Sequence, residues 1–316
     1  ASTLISGSPV TGRTAYAPNL VPTSNRVVFR SNRDDANKTE LFAVPIDGSS
    51  APHKLAAILA AAGSVDAGVE ITGNGTHAVF IADRDVTGRK ELYSVHLGTD
   101  AVTKLSGTTV AGGNTTKFVL NLSGTRVLFR ADRETDETYE LWSADVATGG
   151  APVKVSGPMA AGGNVLPDFE IDSSSPALRA YFRADSLTPG QIELWSAAIT
   201  GGTPLRPSGN MVANSNVSYF VRSEVPARII FRADRESPDV HELWRAQPDV
   251  GDLALDIDGD DVIDPATDGV LLARWLLGFR GAALIDQAVS SSPSARRTSV
   301  TTIENYLRLL TRMSSQ

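Results

Sequence analysis

A short phrase recurs five times and constrains what this 316-residue chain can fold into. It reads Val-Val-Phe-Arg-Ser-Asn-Arg at 27–33, Val-Phe-Ile-Ala-Asp-Arg at 79–84 and Val-Leu-Phe-Arg-Ala-Asp-Arg at 127–133. Two further copies are Ala-Tyr-Phe-Arg-Ala-Asp at 180–185 and Ile-Ile-Phe-Arg-Ala-Asp-Arg at 229–235. Each is followed by Glu-Leu and an aromatic residue: Phe42, Tyr93, Trp142, Trp195 and Trp244. The phenylalanines at 29, 80, 129, 182 and 231 are spaced by 51, 49, 53 and 49 residues. A steady period of this length marks a repeat architecture in which each unit buries its apolar face against the next.

Within one unit, apolar and β-branched runs alternate with Gly, Asp and Thr clusters, the signature of short strands and turns. The third unit is predicted to hold strands at 117–122, 126–131, 139–144 and 153–156. Four strands in about 40 to 50 residues describe one propeller blade. Internal units close on Lys-Leu-Ser-Gly or a variant, as at Lys104–Gly107, Lys154–Gly157 and Leu205–Gly209. The fifth unit lacks this segment after Trp244, whereas the chain opens with Thr3-Leu4-Ile5-Ser6-Gly7. The expected fold is therefore mainly β, a five-bladed propeller over 1–250 closed by its N-terminal strand, which removes two open sheet edges. An open arc of five blades is the alternative.

The phrase Phe-Arg-Ala-Asp-Arg, then Glu-Leu-Trp-Ser-Ala, Gly-Gly and Lys-Leu-Ser-Gly, resembles the TolB-like (PD40, WD40-like) propeller repeat. The resemblance covers roughly residues 1–247 and implies a fold rather than a function. Arg30/Glu40, Arg130/Glu140, Arg183/Glu193 and Arg232/Glu242 share a spacing of ten, which predicts a cross-strand ion pair in each blade. Asp83, Asp132, Asp185 and Asp234 are expected to fix the turn after the second strand. Asn114, Asn164 and Asn216 either bond the loop backbone or ring a ligand site.

Residues 256–268 place six carboxylates in thirteen positions with no basic residue among them. The formal net charge is −7, and these six aspartates supply all but one unit of it. Such crowding is unfavourable unless a cation neutralises it. Asp256, Asp258 and Asp260 have the 1-3-5 spacing that turns alternate side chains onto one hard ion. Beyond them the pattern becomes helical, with Leu271, Leu272, Trp275, Leu276 and Phe279 at helical spacing. Asp264 suits the N-cap, Pro265 the first helical position, and Gly278 or Gly281 the end. A second helix is predicted over 300–311, with Ile303, Tyr306, Leu307 and Leu310 facing the first. Two such helices bury a small core, so a bound ion helps hold the 251–316 module folded.

The run Leu255-Asp256-Ile257-Asp258-Gly259-Asp260, continued by Asp264-Pro265 and Asp268-Gly269-Val270-Leu271-Leu272, resembles dockerin-like (EF-hand-type) calcium modules of secreted bacterial proteins. That resemblance implies side-chain ligands from Asp256, Asp258 and Asp260, the carbonyl of Val262, and Asp268 from the first helical turn. Asp264 would act through water or only as the cap. Three positions depart from the pattern. Asp261 stands where glycine is usual, Asp268 is the thirteenth residue rather than the twelfth, and Asp286 alone offers itself in the second half. One calcium ion is expected.

The acidic balance argues against a nucleic-acid partner, and no apolar run reaches the ~18 residues of a membrane span. No cysteine is present. There is no Gly-x-Ser-x-Gly elbow, and His53, His77, His96 and His241 share no metal-ligand spacing. Glu70 and Asp168 stand outside the repeated phrase as lone acids. These absences lead to an expectation that the chain is not an enzyme. The reading is a secreted, calcium-binding scaffold or assembly protein of the bacterial cell surface. Its partner would be another copy of itself or a cohesin-like domain. A carbohydrate-binding (lectin-like) propeller and, less favoured, a glycan-active enzyme are the alternatives.

Overall fold

The computed structural model describes the chain except residues 1, 8–10, 59, 174–177, 225–226, 247–254, 261–262, 292–294, 296 and 314–316. The expected boundary between 250 and 251 lies outside the described residues, as does Val262. Five separate antiparallel sheets are present. The first holds β1 (Ala15–Leu20), β2 (Arg26–Asp35), β3 (Lys38–Pro45) and β4 (His53–Ala56). The second holds β5 (Glu70–Ile71), β6 (His77–Ala82), β7 (Glu91–His96) and β8 (Val102–Lys104), and the third β9 (Thr115–Leu120), β10 (Arg126–Ala131), β11 (Glu140–Asp145) and β12 (Gly149–Lys154). The fourth holds β13 (Val165–Asp172), β14 (Arg179–Ala184) and β15 (Glu193–Ala198), and the fifth β16 (Val217–Glu224), β17 (Ala227–Ala233) and β18 (Glu242–Ala246).

Each sheet is a meander in sequence order, so each repeat makes one sheet. The 126–131 strand is found where the pattern placed it, while the first strand of that unit begins at Thr115 rather than 117. Residues 3–7 adopt no strand. A strand needs a neighbour for its ladder bonds, and none pairs with this segment among the described residues.

The chain divides into two compact units, Ala1–Glu193 with Ala197–Pro204, and Leu194–Ser196 with Leu205–Gln316. In the first unit the sheets stack face to face. Val79, Ile81, Leu92 and Leu105 of the second repeat meet Val127, Phe129, Trp142 and Ala144 of the third in one buried cluster. The phrase residue Phe129 lies directly opposite Trp142, so the repeated Phe and the Glu-Leu-aromatic form one layer of the core.

In the first, third and fifth sheets the Arg and Glu expected to pair at a spacing of ten are not opposed. In the β10–β11 register Arg130 faces Leu141 and Ala131 faces Glu140. Directly opposed residues share a face and neighbours alternate, so Arg130 and Glu140 lie on opposite faces. The buried glutamates instead take the lysine of the fourth strand: Lys54–Glu40, Lys104–Glu91 and Lys154–Glu140, each at 2.6 Å. Arg130 donates its Nε to the carbonyl of Val165 and stacks on Tyr139 with its guanidinium 3.8 Å from the ring centre.

The turn aspartates behave as expected. Asp132 accepts the backbone N–H groups of Asn114 and Glu137. Asp83, Asp185 and Asp234 repeat this with Ser64 and Gly88, Asn164 and Gly190, and Asn216 and Asp239. Asn114 and Asn164 bond the backbone across units, accepting the N–H of Lys90 and of Tyr139.

The second unit carries the helices: a single π-type turn at Pro265–Gly269, α1 (Val270–Leu276), α2 (Ala282–Ile285) and α3 (Val300–Met313). Their core gathers Ile257, Leu271, Trp275, Leu284, Ala288, Ile303, Tyr306 and Leu307. Leu276 and Phe279 do not join it; they are 69% and 46% exposed. Helix α1 ends at Leu276 after two turns, and Gly278 takes a left-handed φ of 92°, so the chain turns away before Phe279. The side chain of Leu310 lies outside the described residues.

Candidate metal centre

The centre is built by the turn between Asp256 and Asp260. Asp256 Oδ1 accepts the N–H of Gly259 at 2.7 Å and of Asp260 at 3.1 Å. That self-bonded turn, with Gly259 at φ 76°, curls the alternate side chains onto one point. One oxygen from each of Asp256, Asp258 and Asp260 lies within 4.8 Å of the others. Asp256 and Asp258 are buried and Asp260 half-buried.

Asp258 sits at the middle of the charge. Its Oδ2 accepts the N–H of Ser290 at 2.7 Å. Its Oδ1 is buried with no hydrogen-bond partner among the described residues. Burial, helped by the charges of Asp268, Asp260 and Asp256, raises its pKa above the ordinary carboxylate value, against the Ser290 bond that lowers it. An orphaned buried carboxylate oxygen costs several kcal/mol by desolvation, of order 2–5. A cation at the convergence of the three oxygens would offset the mutual repulsion of the carboxylates. The donors are all hard oxygens, which suits Ca²⁺ or Mg²⁺ rather than a soft metal.

Asp268 and Asp264 take other positions. Asp268 is buried and braces the loop: Oδ1 accepts the N–H groups of Ile257 and Asp258, and Oδ2 that of Asp264 at 2.9 Å. Asp264 caps the helix as expected, accepting the N–H of Ala266 at 2.8 Å with Pro265 next in line. A π turn follows the cap. The N–H of Gly269 reaches the carbonyl of Asp264, five residues back, at 3.2 Å, the ring size of a π turn. Asp286 lies at the end of α2, where its carbonyl accepts Arg274.

Sequence reasoning missed Arg297. Its backbone N–H donates to the carbonyl of Asp258 at 2.7 Å. Its guanidinium donates to the carbonyls of Ile257 and Asp256 and lies 3.9 Å from the ring centre of Tyr306 on α3. The acidic loop is thus held from behind by a cation on the second half of the module. The one signal available was a basic pair, Arg296-Arg297, beyond a loop that has no base of its own.

The other candidates are occupied structurally. Asp168 Oδ2 accepts Arg183 Nε. His77 and His96 face each other at 4.9 Å between ring centres, and His96 Nδ1 accepts two turn N–H groups.

No family model and no curated protein matches this chain. Solved structures do. A putative TolB from Agrobacterium tumefaciens is 14% identical, with 76% of this chain and 79% of that one aligned, at a TM-score of 0.41. Dipeptidyl peptidase 4 from Porphyromonas gingivalis is 9% identical over 73% of this chain and 37% of that one, at 0.50. An oligogalacturonate lyase in complex with manganese is 13% identical over 71% and 60%, at 0.40. The chain therefore spans most of the TolB protein and little more than a third of the peptidase. Likeness at these identities shows the fold alone.

The expectation that the chain is not an enzyme is corrected by the likeness to a peptidase: dipeptidyl peptidase 4 is among the structures alike in fold. Missing motifs were too narrow a ground for that expectation.

Proposed function

We propose that the chain is an extracellular calcium-binding assembly protein. Its five sheets serve as the blades of a propeller closed by the N-terminal strand, which acts as a binding platform. The dockerin-like C-terminal module takes one Ca²⁺ and docks a protein partner. The observation that carries this reading is the convergence of one oxygen each from Asp256, Asp258 and Asp260, together with a buried Asp258 Oδ1 that has no hydrogen-bond partner among the described residues. A hard cation satisfies that oxygen, and external calcium is abundant enough to fill even a weak loop. Exposed Leu276 and Leu277 next to α1 supply apolar surface for a partner once the loop is ordered.

The test is calcium titration of metal-free protein by calorimetry, with sizing before and after chelation. One ion per chain and a calcium-dependent change in helicity support the reading. No uptake at millimolar calcium, or identical helicity with and without the ion, overturns it. No change of size on chelation removes self-assembly and leaves a different protein as the docking partner.

A further inference from the structure

The third repeat departs from its fellows at one position. In the β9–β10 ladder Lys117 lies directly opposite Arg130, so two cations share one face of the sheet. The matching arginines have other company. Arg30 faces Tyr16 and Arg232 faces Tyr219, while Arg183 donates its Nε to Asp168. The third and fifth repeats are otherwise alike here: Arg130 Nη1 donates to Thr116 Oγ1 and Arg232 Nη1 to Ser218 Oγ, each at 2.9 Å. Like charges directly opposed across a ladder are destabilising, so Lys117 carries a cost that the tyrosines do not.

Both cations keep donors to spare. Arg130 spends Nε on the carbonyl of Val165 and Nη1 on Thr116, and its Nη2 has no hydrogen-bond partner among the described residues. The Lys117 ammonium has no hydrogen-bond or ion-pair partner among them either; it lies 5.3 Å from the ring centre of Phe169. The charge of Glu70 reaches Lys117, but that carboxylate also accepts the N–H of Leu120. Lys117 is exposed and Arg130 half-buried. Burial pulls the Arg130 pKa down, against the opposing effects of Tyr139 and Asp132, and Asp132 is already committed to two turn N–H groups. A cation partly withdrawn from water holds an anion more strongly than one in solvent.

We propose that Lys117 and Arg130 form a subsite for an oxyanion, the carboxylate or phosphate group of a small ligand. Arg130 offers Nη2 from a guanidinium fixed by Val165, Thr116 and the ring of Tyr139, 3.8 Å from its centre. Lys117 adds a point charge on a flexible stem. With one guanidinium nitrogen free rather than two, the subsite reads charge more than shape. The ligand's anion removes the repulsion between the two side chains, which is the role that Asp168 plays for Arg183. All of these residues lie in the first compact unit, and the subsite does not depend on the metal centre.

The repeat itself supplies the test variant. Lys117→Tyr restores the pairing used by the first and fifth repeats, so the fold should tolerate it. Unfolding midpoints of the full chain are compared in inorganic phosphate, sodium acetate and sodium chloride at one ionic strength. The unaltered protein is expected to gain several degrees in phosphate or acetate over chloride. Calorimetric titration with the effective anion should then show binding to Lys117→Tyr at least ~10-fold weaker. A gain in phosphate alone assigns a phosphate-bearing ligand, and a gain in acetate shows that a carboxylate suffices. No gain in either salt overturns the proposal. An equal gain in Lys117→Tyr also overturns it, because it marks a general salt effect. Lys117→Glu serves if the tyrosine variant fails to fold. It places an anion opposite Arg130, so it should raise the midpoint in chloride and lose the gain; a gain as large as that of the unaltered protein again overturns the subsite.

Discussion

Arg297 donates its Nε to the carbonyl of Ile257, forty residues earlier, at 2.8 Å. This bond and its neighbour to Asp256 hold the acidic turn in shape through its backbone carbonyls. Arg297→Ala removes both, together with the stack on Tyr306, and is expected to destabilise the helical module by about 2–4 kcal/mol. Arg297→Lys keeps the charge but not the forked donation, so it should recover less than half of the loss. Chemical denaturation followed by far-ultraviolet circular dichroism reads both.

Replacing Asp258 should have opposite effects with and without metal. Asp258→Asn removes a buried charge that three like charges oppose, so the metal-free module should become more stable. The same change removes a ligand, so calcium affinity should fall at least ~100-fold. A variant that loses stability in both conditions would show that Asp258 serves packing rather than the ion.

Acidity should separate the two states in the same way. The raised pKa of Asp258 means the folded, metal-free loop binds a proton more readily than the unfolded chain. Its contribution is therefore fully present below the ordinary value of 3.8 and is lost as pH rises through the raised folded value. Metal-free module should lose stability as pH rises through that window. With calcium bound, protons compete with the ion and the slope reverses. Melting curves between about pH 4 and pH 7 with and without calcium test this, and Asp258→Asn should flatten the metal-free slope.

In the sheets, Lys154 is expected to matter more than its partial exposure suggests. Its Nζ meets the buried Glu140 at 2.6 Å, and burial raises the Glu140 pKa against the lowering effect of Lys154. Lys154→Ala leaves a carboxylate without its counter-ion and should cost roughly 1–3 kcal/mol. Glu140→Gln in the Lys154→Ala background should restore part of it, a double-mutant comparison that a purely steric role would not reproduce.

Asp132→Ala should be among the more damaging single changes in the third repeat. It leaves the N–H groups of Asn114 and Glu137 without their acceptor, at about 1–3 kcal/mol for each that stays buried. Asp132→Asn keeps one acceptor oxygen and should be milder.

The repeats were legible because each buried position is written five times; Phe29 to Phe231 define the sheets before any geometry is known. The turn role of Asp132 was legible for the same reason. The Arg130–Glu140 pairing was misread because sequence spacing does not reveal hairpin register, and one residue of register moves a side chain to the other face. At the metal centre the triad could be read from its 1-3-5 spacing, since a local turn brings those residues together. Asp268 was expected to bind the ion from the first helical turn; that it also accepts three loop N–H groups depends on a π turn that spacing does not specify. Arg297 was invisible because the contact spans forty residues and the repeat offers no second copy for comparison.

Asn164 accepts the Tyr139 N–H, and Asn114 that of Lys90; in each case the acceptor is supplied by the repeat that comes later in the chain. As the polypeptide leaves the ribosome, a newly made repeat therefore waits with a bare donor until its successor emerges. Maturation should advance seam by seam from the amino end, and a truncation inside any repeat should disturb the one before it as well.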